Sequence, residues 1–320
     1  MTYKTIISGR LEFGNAKTFD KVSKMYQQRI ETFYRTAELM FKGEDIFDAS
    51  TTSLTIPRLV VQATDKSWQN TLDLLDYVVQ FAVAGDLRAW MTDNGKVIRE
   101  ALIEPNSDKA AVRAYLAGRE LTKKEGREKE AREALSSAIE KYERHALAYE
   151  RRGYVNFVLK NYADALYDYT KSIDINPNNA APYFGRAFVK MQQDDLVGAI
   201  ADFDQAVKRS IPLQSIYWKS RRIKAECHLR LQEFEQAATE LKLVVVRTFV
   251  QDDSNYKWRQ KAWCDFGRAL SATGKYADAV QAFDQALKIE DAHRPIAKED
   301  LLQLRELAAQ QLSKPMAANA

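Results

Sequence analysis

Two stretches of 34 residues, 146–179 and 180–213, carry one pattern in register. The first places Tyr149, Gly153, Tyr162, Ala165, Tyr169 and Pro177 along its length, and the second answers with Tyr183, Ala187, Leu196, Ala199 and Phe203 at matching positions. Self-similarity at such a period is the mark of stacked helical hairpins, because a single hairpin cannot bury its apolar face without a neighbour. Small residues such as Gly153 and Ala165 stand where two helices must approach closely, and the aromatic residues fill the space between pairs. Pro177 ends a second helix: it has no N–H to donate, and its ring disfavours the helical turn before it.

The pattern spreads in both directions. A degenerate unit at about 112–145 holds Tyr115, Gly118, Ala131 and Ala138, although 123–127 (Lys-Lys-Glu-Gly-Arg) is very polar for an inter-helix turn. Units at 218–253 (Ala225, Phe234, Ala237) and 260–293 (Trp263, Gly267, Tyr276, Ala279, Phe283, Ala286) follow. From Ala165 through Ala199 and Ala237 to Ala279 the spacings are 34, 38 and 42 residues, which puts the extra residues in connections. The longest, 248–257, is expected to be an extended helix end plus a loop. Residues 296–312 read as an amphipathic helix capping the last repeat, and 314–320 as a flexible tail. The recurring small and aromatic positions resemble the tetratricopeptide repeat family over about 112–312. Arg152 and Arg186 stand where that family usually has leucine, and Ile211-Pro212 replaces its usual acid-proline ending.

Residues 1–105 read differently. Ile7, Gly9, Leu11 and Phe13 share one alternating face, so 5–13 predicts a strand that Gly14-Asn15 breaks. Phe19, Val22, Met25, Tyr26, Ile30 and Phe33 then fall at helical spacing. Strands are expected over 34–41 and 54–63, with Pro57 marking an edge or a bulge in the second. Asp65 or Ser67 would cap a second helix carrying Trp68, Leu72, Leu75, Val78 and Val79. Asp93-Asn94-Gly95 between 87–92 and 96–103 is a hairpin signal. The order predicts a small α+β domain, a mainly antiparallel sheet with two helices on one face, followed from 106 to 313 by the all-α repeat array.

Chemistry is scarce. Residues 1–144 contain neither His nor Cys, which removes the usual nucleophile and base pairs from the non-repeat domain. His145, His228 and His293 lie far apart without cysteine or carboxylate at ligand spacing, so no metal site is expected. The stretch from Gly9 to Gly14 before Lys17-Thr18 only superficially resembles a phosphate loop, since Leu11 and Phe13 belong to a strand. No cofactor and no catalytic residue are assigned. Cys227 and Cys264 read as small buried apolar residues of a reducing compartment. Met1–Gly14 shows no secretory pattern, and the apolar run at 78–84 is far too short for a membrane span, so a cytoplasmic location is expected.

In the resembled family the first helix of each repeat lines a concave groove. Carried over position by position, this implies an aromatic half with Tyr154, Phe157, Phe184, Phe188 and Met191. It implies a basic half with Lys219, Arg222, Arg230, Lys261 and Arg268. Glu150 and Tyr154 occupy the places where a carboxylate-gripping subset of that family has lysine and asparagine, which argues against a clamp of that type. Aromatic anchors beside arginines are common energetic centres of interfaces. The chain therefore reads as a non-enzymatic scaffold binding a peptide or protein segment with apolar and acidic residues. A second reading rests on charge. Residues 1–105 carry 13 Lys and Arg against 14 Asp and Glu, leaving 35 against 30 for the helical part. Lys219, Arg221, Arg222 and Lys224 could then meet nucleic-acid phosphates. An enzyme site in the first domain is a third, weaker reading, and a free sheet edge there would permit homo-oligomers.

Overall fold

Side chains alternate along an extended chain, so β1 (Tyr3–Glu12) turns Ile7 and Leu11 to one face, where neither is exposed. They meet Leu54 and Ile56 of β3 (Ser53–Ala63) and Leu87, Ala89 and Met91 of β4 (Ala84–Asp93) in one apolar cluster. Helices α1 (Ala16–Phe33) and α2 (Asp65–Val79) lay Phe19, Val22, Tyr26, Trp68, Leu74 and Val78 onto it. Among the described residues the sheet has five antiparallel strands in the order β2-β3-β1-β4-β5, with β2 (Phe47–Asp48) and β5 (Lys96–Ile103) at the edges. This is the expected α+β head. The structure is a computed structural model, and it describes residues 1–35, 38–293 and 295–313. Two compact units divide the chain, Met1–Pro182 and Tyr183–Ala320.

Local signals in the head act as their chemistry dictates. Between Ile7↔Leu59 and Gly9↔Ile56 the register shifts, so Pro57 sits in a bulge where its missing N–H costs nothing. Asn94 and Gly95 both have positive φ, 47° and 78°, and turn β4 into β5. The cap of α2 is Thr64, whose side chain accepts from Ser67 N–H, rather than Asp65 or Ser67. The strand expected over 34–41 is not formed: Tyr34, Arg35 and 38–41 are irregular, and 36–37 lie outside the described residues. The apolar residues that suggested it serve as anchors instead. Tyr34, Leu39, Met40 and Phe41 pack against the head core, and Met40 N–H donates to Thr71 Oγ1 at 3.1 Å.

The helical part runs as pairs. In the first unit α3 (Ala110–Leu121) pairs with α4 (Glu128–Lys141), and α5 (Ala146–Val158) with α6 (Tyr162–Ile175). Beyond them, α7 (Ala180–Gln192) precedes α8 (Leu196–Arg209), α9 (Ser215–Arg230) pairs with α10 (Phe234–Val245), and α11 (Arg259–Ala272) with α12 (Tyr276–Leu287). α13 (Lys298–Ser313) lays Leu301 and Ala308 on the α12 residues Ala279, Ala282, Phe283 and Ala286, as a capping helix should. Ala131, Ala165, Ala199, Ala237 and Ala279 are all fully buried at 0% exposure. Four residues after each comes a buried large residue: Leu135, Tyr169, Phe203, Leu241 and Phe283. Each intra-pair turn holds one residue with left-handed φ: Gly126, Lys160, Asp194, Gln232 and Gly274. The polar stretch 123–127 is therefore an ordinary turn of the array. Lys160, Asp194 and Gln232 accept a conformation that costs an L-residue about 1–2 kcal/mol, because packing of the two helices imposes it.

Two departures from the usual repeat have one explanation. Arg152 donates to Asp168 through Nε (3.0 Å) and Nη2 (2.7 Å), and Arg186 repeats the arrangement with Asp202 at 2.9 and 2.8 Å. Lys224 pairs with Glu240 at 2.6 Å in the same relation, sixteen residues on. Phe266 and Ala282 hold these places in the last pair. An ion pair thus stands at these places in the three middle hairpins, a two-pronged arginine–carboxylate pair in the first two and a lysine–carboxylate pair in the third.

His145 caps α5, its Nδ1 accepting from Ala148 N–H at 3.3 Å while its ring lies 4.7 Å from that of Tyr115. Burial pushes its pKa down from 6.5 to about 4. The fold therefore favours the neutral ring, and the unfolded chain takes the proton first as pH falls. Stability of the first unit is expected to be intact above about pH 6.5 and to drop by about 3 kcal/mol as pH falls toward 4. His145→Asn keeps a capping side chain without a titrating group, so denaturation midpoints of the two proteins between pH 7 and 4 should diverge. Parallel midpoints would refute the assignment.

Candidate functional site: the inner face of the helical repeats

Within the first unit the head is fastened to the array. Tyr142 O–H donates to Glu12 Oε2 at 2.9 Å, and Glu12, 3% exposed, also receives Arg10 at 2.7 Å. Lys109 Nζ donates to the carbonyls of Gln80, Phe81 and Ala82 at 3.3, 2.5 and 3.1 Å, closing the end of α2 where unpaired carbonyls attract a cation. Arg119 grips Glu104 with two bonds of 2.5 and 3.0 Å. α5 also touches β4. There Glu150, an expected groove position, lies near Asp86 of the head, and burial raises the pKa of both carboxyls, opposed by Arg151 beside Glu150 and by Arg88 beside Asp86. The head thus packs against α5 beside Glu150. Of the groove residues expected in this unit, Tyr154 is exposed, and Phe157 is half-buried with its ring 5.9 Å from Tyr162.

In the second unit the aromatic group turns inward. Phe184 and Phe188 each stand 5.8 Å from Phe203 in edge-on contact and 5.0 Å from one another, and Met191 joins the same cluster. These three contribute mainly to packing of α7 on α8. Arg230 is committed to Asp194 at 2.6 Å.

The basic group divides in two. Arg221 pairs with Glu240, and Lys224 with Asp204 and Glu240, so these two cations are spent inside the α8–α9–α10 packing. Of the cations expected in the groove, four remain on α9 and α11: Lys219, Arg222, Lys261 and Arg268. Among them Lys261 takes up Asp265 at 2.6 Å and Glu226 at 3.6 Å. No carboxylate oxygen among the described residues comes within 4.0 Å of Lys219, Arg222 or Arg268. Burial lowers the pKa of Lys219, and the neighbouring Arg222 adds to the effect. Positions on separate helices in sequence thus share one surface, with more positive than negative charge.

Other chemistry is absent among the described residues: no group of three or more His, Cys, Asp or Glu is placed to hold a metal ion. Burial pushes the thiols of Cys227 and Cys264 up to about 11, which leaves both poor nucleophiles. No described helix is long and apolar enough to cross a membrane.

Residues 124–180 and 260–293 match two family models, each described as Tetratricopeptide repeat. No curated protein sequence matches the chain. Among solved structures, YrrB, described as a TPR protein with an unusual peptide-binding site, is 17% identical, covering 58% of this chain and 87% of its own (TM-score 0.48). PilW, described as a widely conserved type IV pilus biogenesis factor, is 18% identical over 66% of this chain and 90% of its own (TM-score 0.48). MamA from Desulfovibrio magneticus RS-1 is 14% identical over 57% and 94% (TM-score 0.46).

Proposed function

We propose, from the premise that the helical part is an array of tetratricopeptide repeats, that this protein is a non-enzymatic scaffold holding a segment of another protein that carries acidic and apolar residues. The observation behind this reading is the group of cations on α9 and α11, where Lys219, Arg222 and Arg268 have no carboxylate oxygen within 4.0 Å among the described residues and meet Asp253, Glu226 and Asp265 only at longer range. Paired helices present such a surface with little reorganisation, so little ordering cost opposes binding. The nucleic-acid reading loses its main support, since two of its four clustered cations are spent in ion pairs. The free outer edge of β5 in the head remains a place for self-association.

Lys219→Glu with Arg268→Glu reverses this charge at one half-buried and one exposed position. Affinity capture from the source cell, quantified for protein and for nucleic acid, is expected to lose one acidic protein at least tenfold in the variant. Recovery of nucleic acid by the wild type, lost in the variant, would instead favour the rival.

A further inference from the structure

A narrow cleft of about 30 Å3, open to solvent, lies in the second unit, walled by α9, the end of α10, the connection at 246–258 and the start of α11. At its wall stands Arg222, only 7% exposed, its guanidinium 4.3 Å from the centre of the Trp258 ring. Its Nε has no hydrogen-bond partner, and no carboxylate among the described residues pairs with it. Other cations packed between helices of this unit are matched: Arg186 and Lys190 by Asp202, and Lys224 by Asp204 and Glu240. A buried charge without a partner is expensive, and an unsatisfied buried donor calls for an explanation. Burial lowers the Arg222 pKa to about 10 against the longer-range pull of Glu226 and Asp265, which still leaves the side chain charged at neutral pH.

Asn255 supplies a second unsatisfied group on the same cleft. Its Nδ2 donates to Ser215 O at 3.0 Å and to Asp253 Oδ1 at 2.9 Å, which fixes the side chain and leaves Oδ1 without a donor. The remaining wall is apolar, with Val244, Phe249, Ala262 and Trp263, apart from the exposed Arg247, whose guanidinium lies 5.7 Å from the centre of the Trp218 ring. Arg259 is already held by Asp291 at 2.8 Å. One buried cation, one free acceptor and a hydrocarbon surround match a single negative charge next to an apolar group. A phosphate would leave oxygens unpaired against carbon.

We propose that this cleft binds one carboxylate borne on an apolar group, with Arg222 as its counter-ion and Asn255 Oδ1 accepting an adjacent N–H. The site shares Arg222 with the scaffold reading but does not depend on it, because a free organic acid would use it as well as an acidic side chain or a chain end of a partner.

The test uses the full chain labelled with 15N at its tryptophan indoles and three probes at equal ionic strength: N-acetylleucine, N-acetylleucinamide and inorganic phosphate. N-acetylleucine is expected to shift the Trp258 and Trp263 signals saturably, and the other two are not. Arg222→Met should weaken that response at least tenfold. Two peptides then separate the sources, one with a free C-terminal leucine, the other amidated with an internal glutamate beside leucine. Competition by the first places the ligand at a chain end, competition by the second at a side chain, and competition by neither leaves a free acid; all three support the site. No saturable response to N-acetylleucine, an equal response to the amide or to phosphate, or a full response in Arg222→Met overturns it. The amide comparison needs no variant, so it decides the matter even if Arg222→Met does not fold. The scaffold reading is scored separately, by capture with the Lys219 and Arg268 variant.

Discussion

Asp168→Ala is expected to destabilise the first unit by about 3–5 kcal/mol, the usual effect of removing one partner from a buried ion pair. Asp168 is 1% exposed and receives three donors: Arg152 Nε and Nη2, and Asn156 Nδ2 at 2.9 Å. Alanine leaves all three in the packed hairpin without a charged acceptor, although Arg152 keeps a bond to Ser136 Oγ at 3.0 Å. The paired change Arg152→Met with Asp168→Leu removes both charges and keeps volume, and should lie within about 1 kcal/mol of wild type. Urea midpoints, with amide exchange in α5 and α6 to localise the effect, measure both. A single-variant loss under about 1 kcal/mol would mean that the pair acts like a surface bridge and that its recurrence does not lock the hairpins.

Gly85→Ala should cost the head about 3 kcal/mol or more. Gly85 has φ +101°, and a Cβ there would stand 1.9 Å from the carbonyl oxygen of Arg10 on β1. The substitution adds backbone strain of about 1–2 kcal/mol to a clash that must push two paired strands apart, at about 1–3 kcal/mol. Gly9 faces the same constraint from the other strand, its Cβ position 2.2 Å from Asp86 O. Denaturation followed by Trp68 and Trp90, both 3% exposed in the head, in a background where Trp218, Trp258 and Trp263 are phenylalanine, isolates this unit. A midpoint equal to wild type would show that β1 and β4 can separate freely near Arg10.

The repeats were readable because each carries its own signal locally. Alanine at 165, 199, 237 and 279 sets the approach of two helices, and no distant residue changes that requirement. The Asp93-Asn94-Gly95 turn was equally local, since both central residues need positive φ. The segment 34–41 misled because aromatic and apolar residues satisfy a strand pattern and a loop that plugs a core alike. The connection at 248–257 misled in a similar way. α10 stops at Val245, the chain is pinned by Phe249, 6% exposed, and by Asn255, and the helical end lies on the other side, where a short turn at Tyr256–Trp258 leads into α11.

The site was less legible. First-helix residues at repeat positions have either packing or exposed roles, and only neighbours decide between them. Phe184 and Phe188 found Phe203, Arg221 and Lys224 found Glu240, and Arg222 found Trp258 with no carboxylate. The regular departures Arg152 and Arg186 were visible as oddities, and a search for acids sixteen residues later would have found Asp168 and Asp202.

By itself the sequence determined the elements: helix pairs with their small and large contact residues, an alternating sheet, and the turns between them. These follow from periodicity and backbone stereochemistry within a few residues of chain. Only the tertiary structure decided which charges are neutralised, because pairing depends on distances between helices that no local pattern encodes. The docking of Glu12, Lys109 and Arg119 between head and array and the solitary Arg222 both belong to that second class.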